Sequence, residues 1–235
     1  MRVCICVVVL FAAVGLADDP GPAEVRYDGQ MRKVMQDGDL SAAIDLRKLA
    51  KMKDLYALGP LDGLKGEVTI WDGKPSVARI RDGKVAISDS FEHKACFLVY
   101  AEVKSWQEVA IPDEIKDEKQ LEEFVKGAGA EAGIEVKRPF PFLVKAAPKK
   151  VTLHVVNKTD DSPHTKESHE KIKLRFSVEN EAVQIVGFYS DSHHGVFTHH
   201  TTNIHMHAIT DDGKQSGHVE TIQFGKGGKL LLPKR

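Results

Sequence analysis

Cysteine is nearly missing from this chain of 235 residues: there are three, and Cys4 and Cys6 stand within its first six positions. They lie in a segment that opens Met1-Arg2, continues as an apolar run from Val3 to Leu16, and ends in Gly15-Leu16-Ala17 before Asp18-Asp19-Pro20. A charged start, an apolar middle and a small-residue end are the parts of a secretory signal peptide. Residues 1–17 are therefore expected to be cut off after Ala17, which makes the protein secreted or periplasmic. Cys96 alone would remain, which excludes an intrachain disulfide. Flanked by Ala95 and Phe97-Leu98-Val99, it reads as a small buried residue rather than a nucleophile.

An excess of one charge is missing too. Lys and Arg number 33 against 34 Asp and Glu, a net charge of −1 spread without long blocks. Without a basic stripe to meet phosphates, no nucleic-acid partner is expected. Aromatic residues make up 7% of the chain, too few for a broad carbohydrate-stacking platform. After the amino-terminal run no segment approaches the roughly 20 apolar residues of a membrane span, so no membrane partner is expected after signal cleavage. Stability must come from a core, and the mature chain is long enough to bury one.

What is present is a change of hydrophobic period along the chain. Ser41 to Lys51 reads as a helix, with Ser41 as N-cap and Ile44, Leu46 and Leu49 in an apolar stripe. Strand-like alternation follows in Gly66 to Trp71, Ser76 to Ile80, Lys84 to Ile87 and Phe97 to Val103, with Asp-Gly turns between the first three. Asp117 to Lys126 reads as a second helix, ended by Gly127 and Gly129. Extended segments at Pro139 to Lys145 and Val151 to Val156 lead into a polar loop from Asn157 to Glu170. Everything beyond it is strand-like. The expected fold is α/β in two parts: a mixed α/β amino-terminal half over residues 24–156, packed as one unit on a mainly antiparallel β half over 171–235.

The chemistry concentrates in Ile204 to Val219. Asp212-Gly213 is a strong hairpin signal, a dipeptide suited to the positive φ angles of a type I′ turn. With those two residues as the loop, Asp211 pairs with Lys214 and His207 falls opposite His218. Directly opposed residues have Cβ atoms about 4.5–5.5 Å apart, so two imidazoles can share one cation. His205 joins them because side chains at i and i+2 share a face, and the same count sets Glu220 opposite His205. Three neutral imidazoles leave coordination positions open, the pattern of a catalytic zinc-type site. Zn²⁺ is the expected metal, with another divalent ion compatible with the ligand type. The plainer alternative is an exposed hairpin in a chain that carries 11 histidines.

Several ordered blocks resemble the α-acetolactate decarboxylase family. Tyr27-Asp28-Gly29-Gln30-Met31 through Asp37-Gly38-Asp39-Leu40 is similar to that family's opening segment, and Leu58-Gly59-Pro60-Leu61-Asp62-Gly63-Leu64-Lys65-Gly66-Glu67, with Trp71-Asp72-Gly73-Lys74, to its next one. Ile185-Val186-Gly187-Phe188 resembles the strand leading to the family's site. His205-x-His207, Thr210-Asp211-Asp212 and Gly217-His218-Val219 resemble its zinc-binding hairpin. The resemblance implies a two-domain fold around a zinc cleft, conversion of 2-acetolactate to acetoin and CO2, and a homodimer. It also implies His205, His207 and His218 as metal ligands, Glu67 as the acidic residue beside the metal, and Lys145 where the family has an active-site arginine. Lysine keeps the charge but loses the planar fork of arginine. Family members also continue past Leu-Pro into an acidic tail with another glutamate; here the chain reads Pro233-Lys234-Arg235, and Glu220 is the candidate substitute. The His193-His194 and His199-His200 pairs read as a loop flanking the cleft, with one of them a candidate proton donor.

Losing CO2 from acetolactate leaves charge on the neighbouring carbonyl oxygen, which a cation chelating that oxygen and the adjacent hydroxyl can stabilise without an organic cofactor. Glu67 or Lys145 would then handle the proton that completes acetoin. Two other readings compete: a non-catalytic relative that binds metal or a small 2-hydroxy-3-keto acid, and a cupin-like metal oxygenase. The last is disfavoured because Asp211, which would have to be its carboxylate ligand, is needed in the turn.

Overall fold

The computed structural model describes residues 23–159 and 162–234. The expected signal peptide and its cleavage point lie outside the described residues. The first strands are β1 (Arg26–Asp28), β2 (Ile44–Asp45), β3 (Leu55–Pro60), β4 (Glu67–Trp71), β5 (Lys74–Arg81), β6 (Lys84–Ser88), β7 (Lys94–Ala95) and β8 (Leu98–Glu102). They are followed by β9 (Trp106–Ala110), β10 (Phe140–Ala146), β11 (Lys150–Val156), β12 (Lys173–Val178), β13 (Val183–Tyr189), β14 (Ile204–Thr210), β15 (Ser216–Gln223) and β16 (Lys229–Pro233). Helices α1 (Met31–Gln36), α2 (Glu118–Glu131) and α3 (Lys166–Lys171) complete the set.

The strands form a six-stranded sheet ordered β1-β8-β3-β4-β5-β6, an eight-stranded sheet ordered β12-β11-β15-β14-β13-β10-β16-β9, and the small pair β2-β7. Every ladder is antiparallel. The chain passes from the smaller sheet to the larger between Glu102 and Trp106, well before the 157–170 loop where the sequence suggested a boundary. Strands β10 and β11, read there with the amino-terminal half, are inner strands of the larger sheet.

Period-two alternation sorts each strand into two faces. On β13, Val183 and Ile185 join the core under α2, while Val186 and Phe188 face the smaller sheet and meet Tyr56, Leu58 and Val99. On β4, Val68 and Ile70 point to the outer core with Leu46, Leu49 and Leu55. That leaves Glu67 and Thr69, also buried, on the face turned toward the larger sheet. His205 and His207 pair with Phe188 and Val186, so they stand on the inter-sheet face as well.

Two helices depart from the sequence reading. Ser41 to Lys51 is the short strand β2 followed by a single 3₁₀ turn at Leu46–Leu49. The apolar stripe is buried as expected, but Ile44 pairs with Ala95 and the Leu46 N–H donates to His93 C=O at 3.0 Å, so tertiary pairing takes the backbone a helix would have used. Helix α2 starts as expected, with Asp117 accepting from the Gln120 N–H at 2.9 Å, but runs through both glycines to Glu131. A Cβ at Gly129 would stand 3.1 Å from the Phe140 ring, so the glycine serves close helix–sheet packing instead of a stop. Among the described residues no helix is long and apolar enough to cross a membrane.

Candidate metal centre

The histidine hairpin has the expected register on a different turn. His207 lies opposite His218, and Ala208 and Ile209 pair with Gly217 and Ser216. The Gly213 N–H donates to Thr210 C=O at 2.8 Å, so Asp211 and Asp212 are the corners and Gly213, at φ +69°, closes the loop. Asp212 is not at positive φ, which excludes the type I′ geometry. Its carboxylate instead accepts from Thr210 Oγ1 at 2.8 Å and from the Lys214 N–H at 3.0 Å, tying the loop to itself. The Thr210 N–H donates to Gln215 C=O at 2.9 Å, so the loop is 211–214 and not 212–213, but both loops are centred between Asp212 and Gly213 and the pairing survives the difference.

Glu220 is not where the count put it. The β14–β15 ladder ends at His207 and His218, and a bulge interrupts the β11–β15 register between Thr152 and Leu153. Glu220 is the residue left unpaired in that bulge, and it meets Arg175 Nε at 2.7 Å, His154 Nδ1 at 3.1 Å and Lys173 Nζ at 3.4 Å. The hydrogen bond with His154, then that from Arg175 and the charge of Lys173, hold its carboxyl well below the usual carboxylate range.

His205, His207 and His218 each offer a ring nitrogen, all within 4.8 Å of one another. His205 Nε2 and His218 Nδ1 are 3.0 Å apart. His205 Nδ1 stands 2.7 Å from Phe197 C=O; a carbonyl only accepts, so that nitrogen carries the proton and Nε2 presents its lone pair to the cluster. His207 Nε2 is buried without a hydrogen-bond partner. Burial lowers the His205 pKa to about 3 and drives those of His207 and His218 well below the ordinary value, with the neighbouring histidines adding to the effect. Three neutral imidazoles, those of His205 and His207 buried and that of His218 half-buried, with an orphaned nitrogen fit a borderline-soft divalent cation of the zinc type.

Glu67, from the smaller sheet, is buried with Oε2 3.8 Å from His207 Nε2. Burial raises its carboxyl pKa to about 8, against the lowering pull of the Val156 backbone and Lys173. It lines a cavity of about 50 Å³ together with His154, His169, Lys173, His199, His205 and His218, while Met31, Val34, Met35, Leu64 and Phe97 form the apolar wall. Glu67 is its one carboxylate among the described residues.

Lys145 is not part of this gathering. It is exposed on β10, pairs in the ladder with Gln184 and Lys229, and holds Nζ 5.7 Å from the Trp71 ring. The residues that sequence reasoning did not name are His154, whose ring lies 4.6 Å from that of His218, and Lys173, held at 2.7 Å by Glu170. His154 sits in the run Val151 to Val156, where Thr152 and His154 alternate with apolar residues, a signal visible in the sequence. Of the loop histidines, His199 reaches the cavity, edge-on to His205 and His218 at 6.2 and 5.8 Å. His193 is tied to Ser190 Oγ at 2.8 Å and stacked on Phe197, and His194 to Asn203 Oδ1 at 2.9 Å, so both brace the loop.

Imidazoles and a carboxyl group gathered between two antiparallel sheets define a candidate single-ion metal centre. The family model Alpha-acetolactate decarboxylase matches residues 27–232, and the chain belongs to that family. The structure resembles acetolactate decarboxylase from Bacillus subtilis subspecies spizizenii at 19% identity and TM-score 0.72, covering 90% of this chain and 86% of that one. It resembles the α-acetolactate decarboxylase of Bacillus subtilis strain 168 at 17% identity and TM-score 0.68, with coverage of 90% and 86%. A Staphylococcus aureus protein of unknown function, described as similar to α-acetolactate decarboxylase, gives 15% identity and TM-score 0.72 over 89% and 85% of the two chains. A search of curated proteins found no match.

Proposed function

We propose that this chain is a metal-dependent carbon–carbon lyase that converts 2-acetolactate, or a close 2-hydroxy-3-keto acid, to acetoin and CO2. The observation that carries the reading is the convergence of three imidazoles, two buried and one half-buried, beside the buried Glu67 carboxyl group, with His205, His218 and Glu67 lining one cavity. His205, His207 and His218 would hold the ion, with Zn²⁺ the choice favoured by the ligand type. A divalent cation there supplies Lewis-acid stabilisation of the negative charge left when CO2 departs. Glu67 stands where a proton can be held or delivered beside that charge, and His154 and His199 close the polar wall over it. The apolar wall of Met31, Val34 and Phe97 offers a surface for the methyl groups of the acid.

The reaction conserves atoms as acetolactate anion plus one proton giving acetoin plus CO2. Incubating zinc-loaded protein with racemic acetolactate tests it: acetoin should form well above the spontaneous rate, and formation at the spontaneous rate alone overturns the reading. One observation favours a second reading, a binding protein without turnover. The one lysine lining the cavity, Lys173, is already engaged by Glu170 at 2.7 Å and Glu220 at 3.4 Å, leaving its charge poorly disposed toward a substrate carboxylate. Tight binding of metal and acetolactate with no acetoin released is its signature.

A further inference from the structure

His207 is the one member of the triad whose outer nitrogen is met by the other sheet. Thr69, fully buried on β4 two residues beyond Glu67, places Oγ1 3.2 Å from His207 Nδ1 and 3.2 Å from Ser216 Oγ. Ser216 is fully buried on β15, opposite Ile209 in the hairpin. Three polar groups from three strands and both sheets therefore form one chain, His207–Thr69–Ser216.

A hydroxyl has a single proton, so the chain can run in two directions. In one, Thr69 donates to Nδ1, which places the ring proton on Nε2. That nitrogen is buried, has no hydrogen-bond partner, and lies 3.8 Å from the nearest Glu67 oxygen, so its N–H would point at nothing. In the other, Nδ1–H donates to Thr69 Oγ1, Thr69 donates to Ser216 Oγ, and Nε2 keeps its lone pair toward His205 and His218. The second direction satisfies the ring N–H and the Thr69 hydroxyl, and it agrees with the Val68 backbone, whose hydrogen bond to the His207 ring favours a protonated nitrogen on that side.

We infer that Thr69, backed by Ser216, is a positioning residue that fixes the tautomer and orientation of His207 and so ties metal affinity to the packing of the two sheets. This rests on the metal reading of the triad. An outer hydrogen-bond partner of a ligating histidine is worth about 10–100-fold in metal affinity, and the exchange of Thr69 for valine keeps the shape while deleting the hydroxyl.

The test has two parts. In metal-free wild-type protein, long-range ¹H–¹⁵N correlation should show His207 protonated at Nδ1; protonation at Nε2 overturns the inference, whatever any variant does. By competition with a chromophoric chelator, Thr69→Val should bind zinc about 10–100-fold more weakly, and Thr69→Ser, which restores the hydroxyl, should recover most of that loss. Equal zinc affinity in wild type and Thr69→Val removes Thr69 from the role while leaving the triad intact. Failure of the wild type itself to bind zinc overturns the metal reading, and the positioning role with it. If Thr69→Val does not fold, Ser216→Ala, which deletes the far end of the chain, should weaken binding in the same direction, and unchanged affinity there counts against the inference.

Discussion

Single side chains in this protein are assigned by what surrounds them, and lysine 145 is the sharpest case. Its place at the family's arginine position suggested a grip on substrate, but its exposed head group lies over Trp71, outside the cavity. Lys145→Ala is therefore expected to change kcat/KM for acetolactate less than about twofold, because an exposed charge separated from the reacting atoms is screened by water. A tenfold fall would put Lys145 on the substrate. The histidines were legible in the sequence where the lysine was not, for a physical reason. Their convergence follows from the period of a strand and the span of a turn, both local quantities, whereas the reach of Lys145 depends on how two sheets stack. Glu67 was legible only through a matched segment, since nothing local shows that β4 lies against the hairpin. His154 lay open to notice as a histidine among alternating apolar residues, but its contact with His218 depends on a bulge that the residues do not announce.

Strands and helices repeat that lesson at the next scale. The hairpin register came out as counted although its turn did not, because register depends on where the loop is centred, and a loop over 211–214 has the same centre as one over 212–213. The helix expected at 41–51 failed because Ala95 and His93 take its backbone partners, a pairing about 50 residues away that no local window contains. Helix α2 formed as read and ran further, carrying Glu118 into its first turn. Burial, then repulsion from Glu122 and Asp117, raises the Glu118 pKa from 4.5 to about 7. The folded state thus binds this proton more tightly than the unfolded chain. Its contribution is fully present below the unfolded value and is lost as pH rises through about 7. Glu118→Gln should leave Tm nearly unchanged near about pH 4 and raise it by about 2 °C near about pH 8, after allowance for partial solvent screening. A Tm difference that does not vary between the two conditions would show that Glu118 titrates normally.

Across the whole molecule, the candidate metal centre lies where the sheets meet. The triad hangs from β14 and β15 of the larger sheet, while Glu67 and Thr69 reach it from β4 of the smaller one. An ion there binds the native arrangement and not the unfolded chain, since only packing of the two sheets closes the shell around it. Occupancy then adds to global stability by mass action, about 4.1 kcal/mol at a free concentration of about 1,000 times Kd. For a chain of this size each kcal/mol moves Tm by about 2–4 °C, so stripping the ion with a chelator should lower Tm by about 10 °C, and adding zinc back should restore it. His207→Ala serves as the control. Without the central ligand it should melt at the same temperature with and without chelator, while keeping the far-ultraviolet circular dichroism of an antiparallel β protein. A wild-type Tm indifferent to chelator would mean that the three imidazoles hold no ion that the fold depends on, and the cavity between the sheets would then have to be explained by packing alone.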